Sequence, residues 1–363
     1  MVSYRDLILL PSAEVWRELR GLRADPPGAA EVRGARRRTF QSALEQAQQF
    51  MVAAEAVGYA TRPVQLFYAL SQGGRAILAA STRIANQNEK SPDSGRDAVI
   101  WRQDSHGIET CGTNVPRVAD VPSVADLQLR PSRSGLMPAV AHAIDVTIPT
   151  PDQRIEMRTI WPIIPEAFAV PLPSALGSPA LLLSGGDSAP RTSNGYHSME
   201  LCYVPARIHD RAISDPSSLR KFLDSYPTLR DWGFGSPAGP IAPKWSSDGG
   251  STYTLSISRP YPKEGTPDYP KTGRELAGIE YRSSGDWWAF PSVGSNEEAL
   301  HPLLVWWMTL FGLSMLARYE PAAWAVMVKI DQSAEANAIE HILDEALSVV
   351  PTLILQALRR SYS

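Results

Sequence analysis

Three polar residues that suit anion binding share one stripe of a predicted helix near the front of the chain. Tyr68, Gln72 and Arg75 are spaced i, i+4 and i+7, and residues at these intervals lie on one helix face. A hydroxyl, an amide and a guanidinium in a row can hold a phosphate or a carboxylate. Arg62, at the start of the same segment, is a further candidate binding residue.

The glycine pair Gly73-Gly74 lies inside this stripe. A glycine costs about 1 kcal/mol relative to alanine within a helix, so two in succession indicate that another backbone approaches closely. On this interpretation the segment forms a tight helix crossing, and Arg75 donates hydrogen bonds to main-chain carbonyls instead of binding a ligand. Both interpretations of Arg75 stay open.

A second polar group follows a long apolar run near the rear of the chain. Arg318-Tyr319-Glu320 end a predicted helix, because Pro321 pushes the residue before it out of the α region. Arg318 can stabilise a phosphate during catalysis, or it can donate to the last carbonyls of its helix as a cap. The candidate binding residues in this part of the chain are His301, Tyr319 and Trp324.

The sequence lacks the residue motifs of several common catalytic and binding sites. No two of the six histidines have the i, i+4 spacing of a helical metal site, and no GxSxG motif surrounds a serine. The Gly185-Gly186-Asp187 turn lacks a Walker lysine, so neither a metal nor a cofactor is predicted. The 35 basic and 38 acidic residues give a net charge of −3, so any polyanion site must be a local patch.

The elements that must position these residues fall into three regions. Residues 1–90 hold two helical patterns separated by Gly58, residues 98–295 are rich in proline and glycine with strand-length apolar runs, and residues 296–363 return to long apolar helical patterns. Neither end forms a complete core alone. We therefore predict an α+β fold, in which a helical bundle built from the N- and C-terminal segments is split by a long β-rich insertion.

Individual elements follow from the same patterns. Helices are predicted within Thr39–Ala80, and Asn86–Asp97 is a linker without apolar periodicity. Strands are predicted at Ala143–Ile148, Ile155–Ile164, Ala180–Leu183, Ser198–Val204 and Thr252–Ile257, and short helices at Ser217–Tyr226 and Pro227–Trp232. The rear helices are predicted to begin after Asn296-Glu297-Glu298, and Pro351 to kink or end the last one.

Composition also predicts the compartment. The only cysteines, Cys111 and Cys202, are far apart and form no CxxC motif, which favours a reducing compartment. The apolar run before Pro11 is too short for a signal peptide, and Leu300–Leu316 falls short of the about 20 residues that a membrane span needs. We expect a cytoplasmic protein that does not enter the membrane.

Two long strings resemble the signatures of the YaaC-like family. They are RPVQLFYALSQGGRAI, from Arg62 to Ile77, and HPLLVWWMTLFGLSMLARYEPAAW, from His301 to Trp324. The Ser105-His106-Gly107 step resembles a histidine-glycine element between them. The resemblance covers both ends of the chain and implies a family without an assigned activity.

A more distant resemblance points to ribonucleases. Phe67–Ala80 is similar to the core helix of HEPN-type helical domains, whose nuclease signature is an arginine at a helix break followed several residues later by a histidine. Arg318 matches the arginine, but Trp324 follows after five residues and no histidine does. Losing the motif's general acid/base lowers the rate by about 10² to 10⁴. His106 and His301 are the candidates to replace it.

These residues and resemblances predict two alternative functions. The first is a binding or effector protein for a partner protein, a nucleotide or RNA, acting in bacterial defence or stress response, with a homodimer as one form of partner. The second is a metal-independent HEPN-type ribonuclease with Arg318, Arg75 and His106 as catalytic residues. The enzyme requires these three side chains to converge, whereas a binding protein does not.

Overall fold

The structure is a computed structural model that describes residues 12–84, 100–111, 123–186, 195–234, 243–247, 252–269, 271–282 and 286–363. Its fold is α+β, with helices at both ends of the chain and strands in the middle, as predicted from the sequence. The described residues form two compact units. A sheet unit contains Ser178–Ser292 and Asn296–Ala299, and a helical unit contains Leu9–Gly177, Val293–Ser295 and Leu300–Ser363.

The front of the helical unit consists of three helices. They are α1 (Ser12–Ala24), α2 (Ala35–Ala56) and α3 (Arg62–Ala80). The last begins with Pro63 in its first turn, where the missing N–H of proline has no partner to lose. The two helices predicted within Thr39–Ala80 are confirmed, although α2 begins four residues before Thr39.

A small antiparallel sheet and two short helices follow in the same unit. They are β1 (Ile108–Thr110), β2 (Gln128–Pro131), α4 (Leu136–Ala143), β3 (Ile155–Glu156) and α5 (Met157–Ile160), with sheet order β1-β2-β3. The strand predicted at Ala143–Ile148 is wrong, and only the first two residues of Ile155–Ile164 belong to a strand. Met157, Ile160 and Ile164 are buried at helical spacing, which outweighs the strand propensity of that run.

The sheet unit is built on six strands. Its elements are β4 (Leu181–Gly185), β5 (Tyr196–Pro205), α6 (Ala206–Ser214), α7 (Pro216–Asp224), β6 (Trp245–Ser247), β7 (Thr252–Pro260), α8 (Gly273–Ala277), β8 (Ile279–Tyr281) and β9 (Asp286–Ala289). The strand order is β6-β7-β5-β4-β9-β8, and neighbouring strands are antiparallel. One face packs against α7, and Leu201, Leu255 and Phe222 are among the residues of this core. The strands predicted at Ala180–Leu183, Ser198–Val204 and Thr252–Ile257 and the helix at Ser217–Tyr226 are confirmed.

Three helices complete the helical unit at the rear of the chain. They are α9 (Pro302–Tyr319), α10 (Pro321–Met327) and α11 (Ala336–Tyr362). The predicted start after Asn296-Glu297-Glu298 is wrong, because α9 begins at Pro302. The helix α11 continues through Pro351 to Tyr362. Burial of apolar residues on both sides of Pro351 offsets the about 3 kcal/mol that an internal proline costs.

The helix α3 occupies the centre of the helical unit, where it packs against α2, α4, α9 and α11. A Cβ atom on Gly73 would lie 2.5 Å from Ile354 Cδ1, and one on Gly74 would lie 2.5 Å from Trp307 Cη2. The glycine pair therefore permits α3 to approach α9 and α11 closely, as its sequence indicates. Beyond the end of α3, Thr82 N donates to Ser361 O at 3.2 Å, close to the end of α11.

One buried carboxylate joins three distant segments of the helical unit. Glu335, immediately before α11, accepts hydrogen bonds from Ser123 Oγ at 2.6 Å, Val124 N at 2.7 Å and Ser174 Oγ at 3.0 Å. Its side chain is buried, and a buried carboxylate is stable only when such donors surround it.

The predicted domain limits at residues 98 and 295 stay a prediction. Residues 98–177, which the sequence groups with the insertion, belong by their contacts to the helical unit where they are described. The predicted linker Asn86–Asp97, the run before Pro11 and Asp187 lie outside the described residues. Among the residues that the structure describes, no helix is both long and apolar enough to cross a membrane.

Candidate functional site

The loop that carries His106 is held by main-chain bonds at the start of α4. The carbonyls of Ser105 and His106 accept from Leu136 N at 2.9 Å and Met137 N at 3.0 Å. These are N–H groups that a helix N-terminus leaves without intrahelical partners. The position of His106 is therefore set by the backbone of α4.

Two glycines make this close approach possible. Gly107 has φ +74° and Gly135 has φ +114°, which are values that residues with a Cβ atom rarely adopt. A Cβ atom on Gly135 would lie 2.5 Å from Gly107 Cα. The sequence element Ser105-His106-Gly107 thus has a structural reason for its glycine.

The His106 ring lies over the crossing of α3 and α9. Its centroid is 5.1 Å from that of Phe67 and 6.0 Å from that of Phe311, and the two phenylalanine rings are 5.4 Å apart in an edge-to-face arrangement. Such edge contacts are favourable for aromatic rings. They fix the imidazole on an apolar base formed by both helices.

Arg318 and Arg75 both act on this imidazole. Burial lowers the pKa of His106 below its ordinary value of 6.5, and the positive charges of Arg318 and then Arg75 lower it further. His106 is therefore neutral at pH 7. The three residues that the sequence proposes as catalytic are close enough in space to interact electrostatically.

Each arginine is held by a different contact. Arg75 Nη1 donates to Gln103 O at 2.8 Å and so ties α3 to the loop before His106. Arg318 Nη2 donates to Tyr319 Oη at 2.7 Å, and its guanidinium carbon lies 4.8 Å from the Tyr319 ring centroid and 5.9 Å from that of Tyr68. Within the described part of the chain, neither guanidinium has a carboxylate within ion-pair distance.

Tyr68 and Gln72 lie on the same stripe of α3 as Arg75. The Tyr68 ring stacks on that of Phe50 from α2, with centroids 5.6 Å apart and planes inclined by 25°. Both Tyr68 and Gln72 are half-buried. The stripe is therefore partly exposed, and its Arg75 contacts the loop that carries His106.

Arg62 lies at the other end of α3 and caps α2. Its Nε donates to the carbonyls of Ala54 at 3.0 Å and Val57 at 3.2 Å, and its Nη2 donates to Val57 O at 2.9 Å. It also pairs with Asp344 of α11. These contacts satisfy carbonyls that the end of α2 leaves open.

Trp324 holds the turn between α2 and α3. Its Nε1 donates to Tyr59 O at 3.2 Å and Ala60 O at 3.1 Å. The indole is buried, and it joins α10 to the front helices. Trp324 is therefore a structural hydrogen-bond donor.

His301 is the N-cap of α9. Its Nδ1 accepts from Leu303 N at 3.2 Å, which requires an unprotonated Nδ1. Burial, with a smaller contribution from Arg360, lowers the pKa of His301 to about 3. Because α9 rises about 1.5 Å per residue, His301 and Arg318 stand roughly 25 Å apart along it. His301 is therefore not grouped with Arg318, and of the two candidate histidines only His106 is.

Two contributors to this site carry little sequence signal. Gln103 contributes through its main-chain carbonyl, which any residue has, so its side chain gives no indication. Phe50 has the spacing of a core residue of α2, and only the stripe facing it on α3 points to a stacking role. Among the described residues, no group of three or more histidine, cysteine, aspartate or glutamate side chains is arranged to hold a metal ion.

Comparison with known proteins gives one match. No curated protein and no solved structure matches the chain. The family model described as YaaC-like Protein matches residues 22–358, which include every residue of the site described above. The chain therefore belongs to the YaaC-like family.

Proposed function

We propose that this protein binds the phosphate group of a nucleotide or of RNA between Arg318, Arg75 and His106. The observation that carries the proposal is the placement of two guanidiniums without a carboxylate partner among the described residues: Arg75 donates to Gln103 O in the loop that carries His106, and Arg318 lies 5.9 Å from the Tyr68 ring on the same helix as Arg75. A guanidinium presents a planar fork of donors that matches phosphate oxygens. An anion between these groups would relieve the repulsion of the two positive charges.

The neighbouring residues suit the same ligand. Neutral His106 has one ring N–H to donate to a phosphate oxygen. The amide of Gln72 makes no hydrogen bond within the described part of the chain and lies one turn from Arg75 on α3. Because the net charge of the chain is −3, attraction of the ligand depends on this local group.

The test is binding of a fluorescein-labelled single-stranded RNA, followed by fluorescence anisotropy at several salt concentrations. Each charged hydrogen bond contributes about 1.5–3 kcal/mol, so Arg318→Ala or Arg75→Ala should weaken binding roughly 10- to 150-fold. For single strands, log K changes by about −0.7 per phosphate contact with log salt, so the double variant should flatten the salt dependence by about 1.4.

The matched control is Arg17→Ala. Arg17 is an exposed arginine of α1 in the same unit, paired with Glu14 at 3.7 Å. The Arg17→Ala substitution removes the same charge from the chain without changing a residue of the site. Equal losses for Arg17→Ala and Arg318→Ala would mean that binding is nonspecific, and the proposal would be wrong.

A metal-independent ribonuclease is the second candidate, and the observation in its favour is the position of neutral His106 on the loop that Arg75 holds through Gln103 O. His106 would take the proton of a ribose 2′-hydroxyl while that oxygen attacks the neighbouring phosphorus. The bond from phosphorus to the 5′-oxygen would break, and His106 would return the proton to it. Arg318 and Arg75 would stabilise the charge on the phosphorane, as the HEPN resemblance suggests for Arg318.

This reaction leaves a cyclic 2′,3′-phosphate and a 5′-hydroxyl, which gel analysis of end groups identifies. Cleavage should resist EDTA and disappear in Arg318→Ala and His106→Ala. If purified protein binds RNA but leaves it intact over the range pH 5 to 9, the enzyme is excluded and the binding function stands.

A further inference from the structure

Four planar groups follow one another from α2 to the end of α9. The Phe50 ring stacks on Tyr68 with centroids 5.6 Å apart, and the guanidinium of Arg318 lies over both Tyr68 at 5.9 Å and Tyr319 at 4.8 Å. The outer member of this series, Tyr319, is 56% exposed. The series therefore ends in an aromatic ring that faces solvent.

The end of α9 explains why this ring is uncovered. Glu320 precedes Pro321, which disfavours the helical region for Glu320, and α9 ends at Tyr319. The backbone of Glu320 has φ −127° and ψ 54°, which lies outside the helical region. A side chain in the last turn has no following turn of its own helix beside it.

The same ring is already oriented. Arg318 Nη2 donates to Tyr319 Oη at 2.7 Å, so a ligand that meets the ring needs to fix little of its motion. Groups that are held in place before binding lose less entropy when the ligand arrives. Tyrosine also has only two side-chain torsions to restrict.

We infer that Tyr319 is a base-stacking residue, which makes the anion site selective for phosphates that carry a nucleobase over phosphates that do not. The inference rests on the proposed function, since Arg318 would bind the phosphate while its neighbour Tyr319 holds the base. Every nucleobase has a flat π-face, and stacking on an aromatic side chain tolerates all sequences. An arginine beside the ring adds a cation–π contact.

Titration calorimetry with AMP, UMP, a single-stranded RNA hexamer and ribose 5-phosphate tests this inference. One stacked base changes affinity roughly 5- to 150-fold. We expect AMP and UMP to bind at least about 5-fold more tightly than ribose 5-phosphate to the parent protein, and Tyr319→Leu to reduce that ratio to about 1. Tyr319→Phe should keep most of the preference because the ring is retained.

The matched control is Phe168→Leu, which removes another exposed aromatic ring of the helical unit and should leave the preference intact. Tighter binding of the hexamer than of AMP would identify RNA as the ligand, and the reverse a free nucleotide. Either result supports the inference if Tyr319→Leu weakens binding of both ligands more than Tyr319→Phe does.

Two different results would overturn the inference that Tyr319 stacks on a nucleobase. If ribose 5-phosphate binds as tightly as AMP, or Tyr319→Leu keeps the preference, the stacking role is wrong while the phosphate site stands. If no phosphate binds to the parent, the proposed function fails together with the inference built on it.

Discussion

His301→Asn is expected to change how the stability of the protein depends on pH. In the folded chain, His301 Nδ1 accepts from Leu303 N at 3.2 Å, and burial lowers the pKa of the ring to about 3. In the unfolded chain, the pKa of a histidine is about 6.5. Between these two values the unfolded state binds a proton that the folded state does not.

The sign and the magnitude of the pH effect on stability follow from this difference in pKa. Because the folded pKa is lowered, the contribution of His301 is complete above about pH 6.5 and declines as the pH falls towards 3, by up to about 1.4 kcal/mol per pH unit. At pH 5, the loss relative to pH 8 is on the order of 2 kcal/mol. Asparagine does not titrate and is a good N-cap, so the variant should avoid this loss.

Urea unfolding, followed by the far-ultraviolet helical signal, measures the effect at pH 8 and pH 5. The free energy of unfolding of the parent should fall by about 2 kcal/mol more than that of His301→Asn. Comparing the two proteins removes the contributions of other histidines. His142→Asn, which alters an exposed histidine in the last turn of α4, is the control and should match the parent. Equal pH dependence in the parent and His301→Asn would refute the reasoning.

Three further substitutions test other parts of the helical unit. Gly135→Ala should destabilise the protein by about 1–3 kcal/mol in thermal unfolding, because the new Cβ meets the His106 loop and the residue has a positive φ. Gly58→Ala is the control, since the space around Gly58 is open. Equal melting temperatures for the two variants would contradict this prediction. Trp324→Phe should lower stability to urea by about 0.5–1.5 kcal/mol through loss of the indole donor, and an unchanged midpoint would show that the donor contributes nothing. Glu335→Gln should cost about 1–3 kcal/mol by the same assay, because the amide nitrogen cannot accept from the donors that the carboxylate binds; stability equal to the parent would show that these bonds are replaceable.

Helices α2, α3, α9 and α11 were predictable because long periodic patterns specify them, whereas α1 was not predicted. The stripe of α3 and the glycine pair inside it led to a close crossing that the structure contains. Short apolar runs were less informative. Ile155–Ile164 suits a strand by composition, and only its packing in the helical unit makes most of it helical.

The site was predictable in its residue types and less so in its assembly. Arg75, His106 and Arg318 are chemically distinctive, but the position of the His106 ring near Phe67 and Phe311 depends on main-chain bonds to α4, and such bonds have no side-chain signature. Arginine, histidine and tryptophan also serve as structural donors and caps. Arg62, His301 and Trp324 make such contacts here, and sequence alone does not separate a group that caps a helix from one that binds a ligand.

The packing of α3 against α9 and α11 also sets the time at which the helical unit can form during synthesis. The partners α9 and α11 are made only after Ser178–Ser292 of the sheet unit has been translated. At about 5–20 residues per second, α3 leaves the ribosome roughly 15–60 seconds before α11 is complete. The apolar surface of α3 that packs on α9 and α11 therefore lacks these partners for that interval, and transiently exposed surface of this kind promotes aggregation.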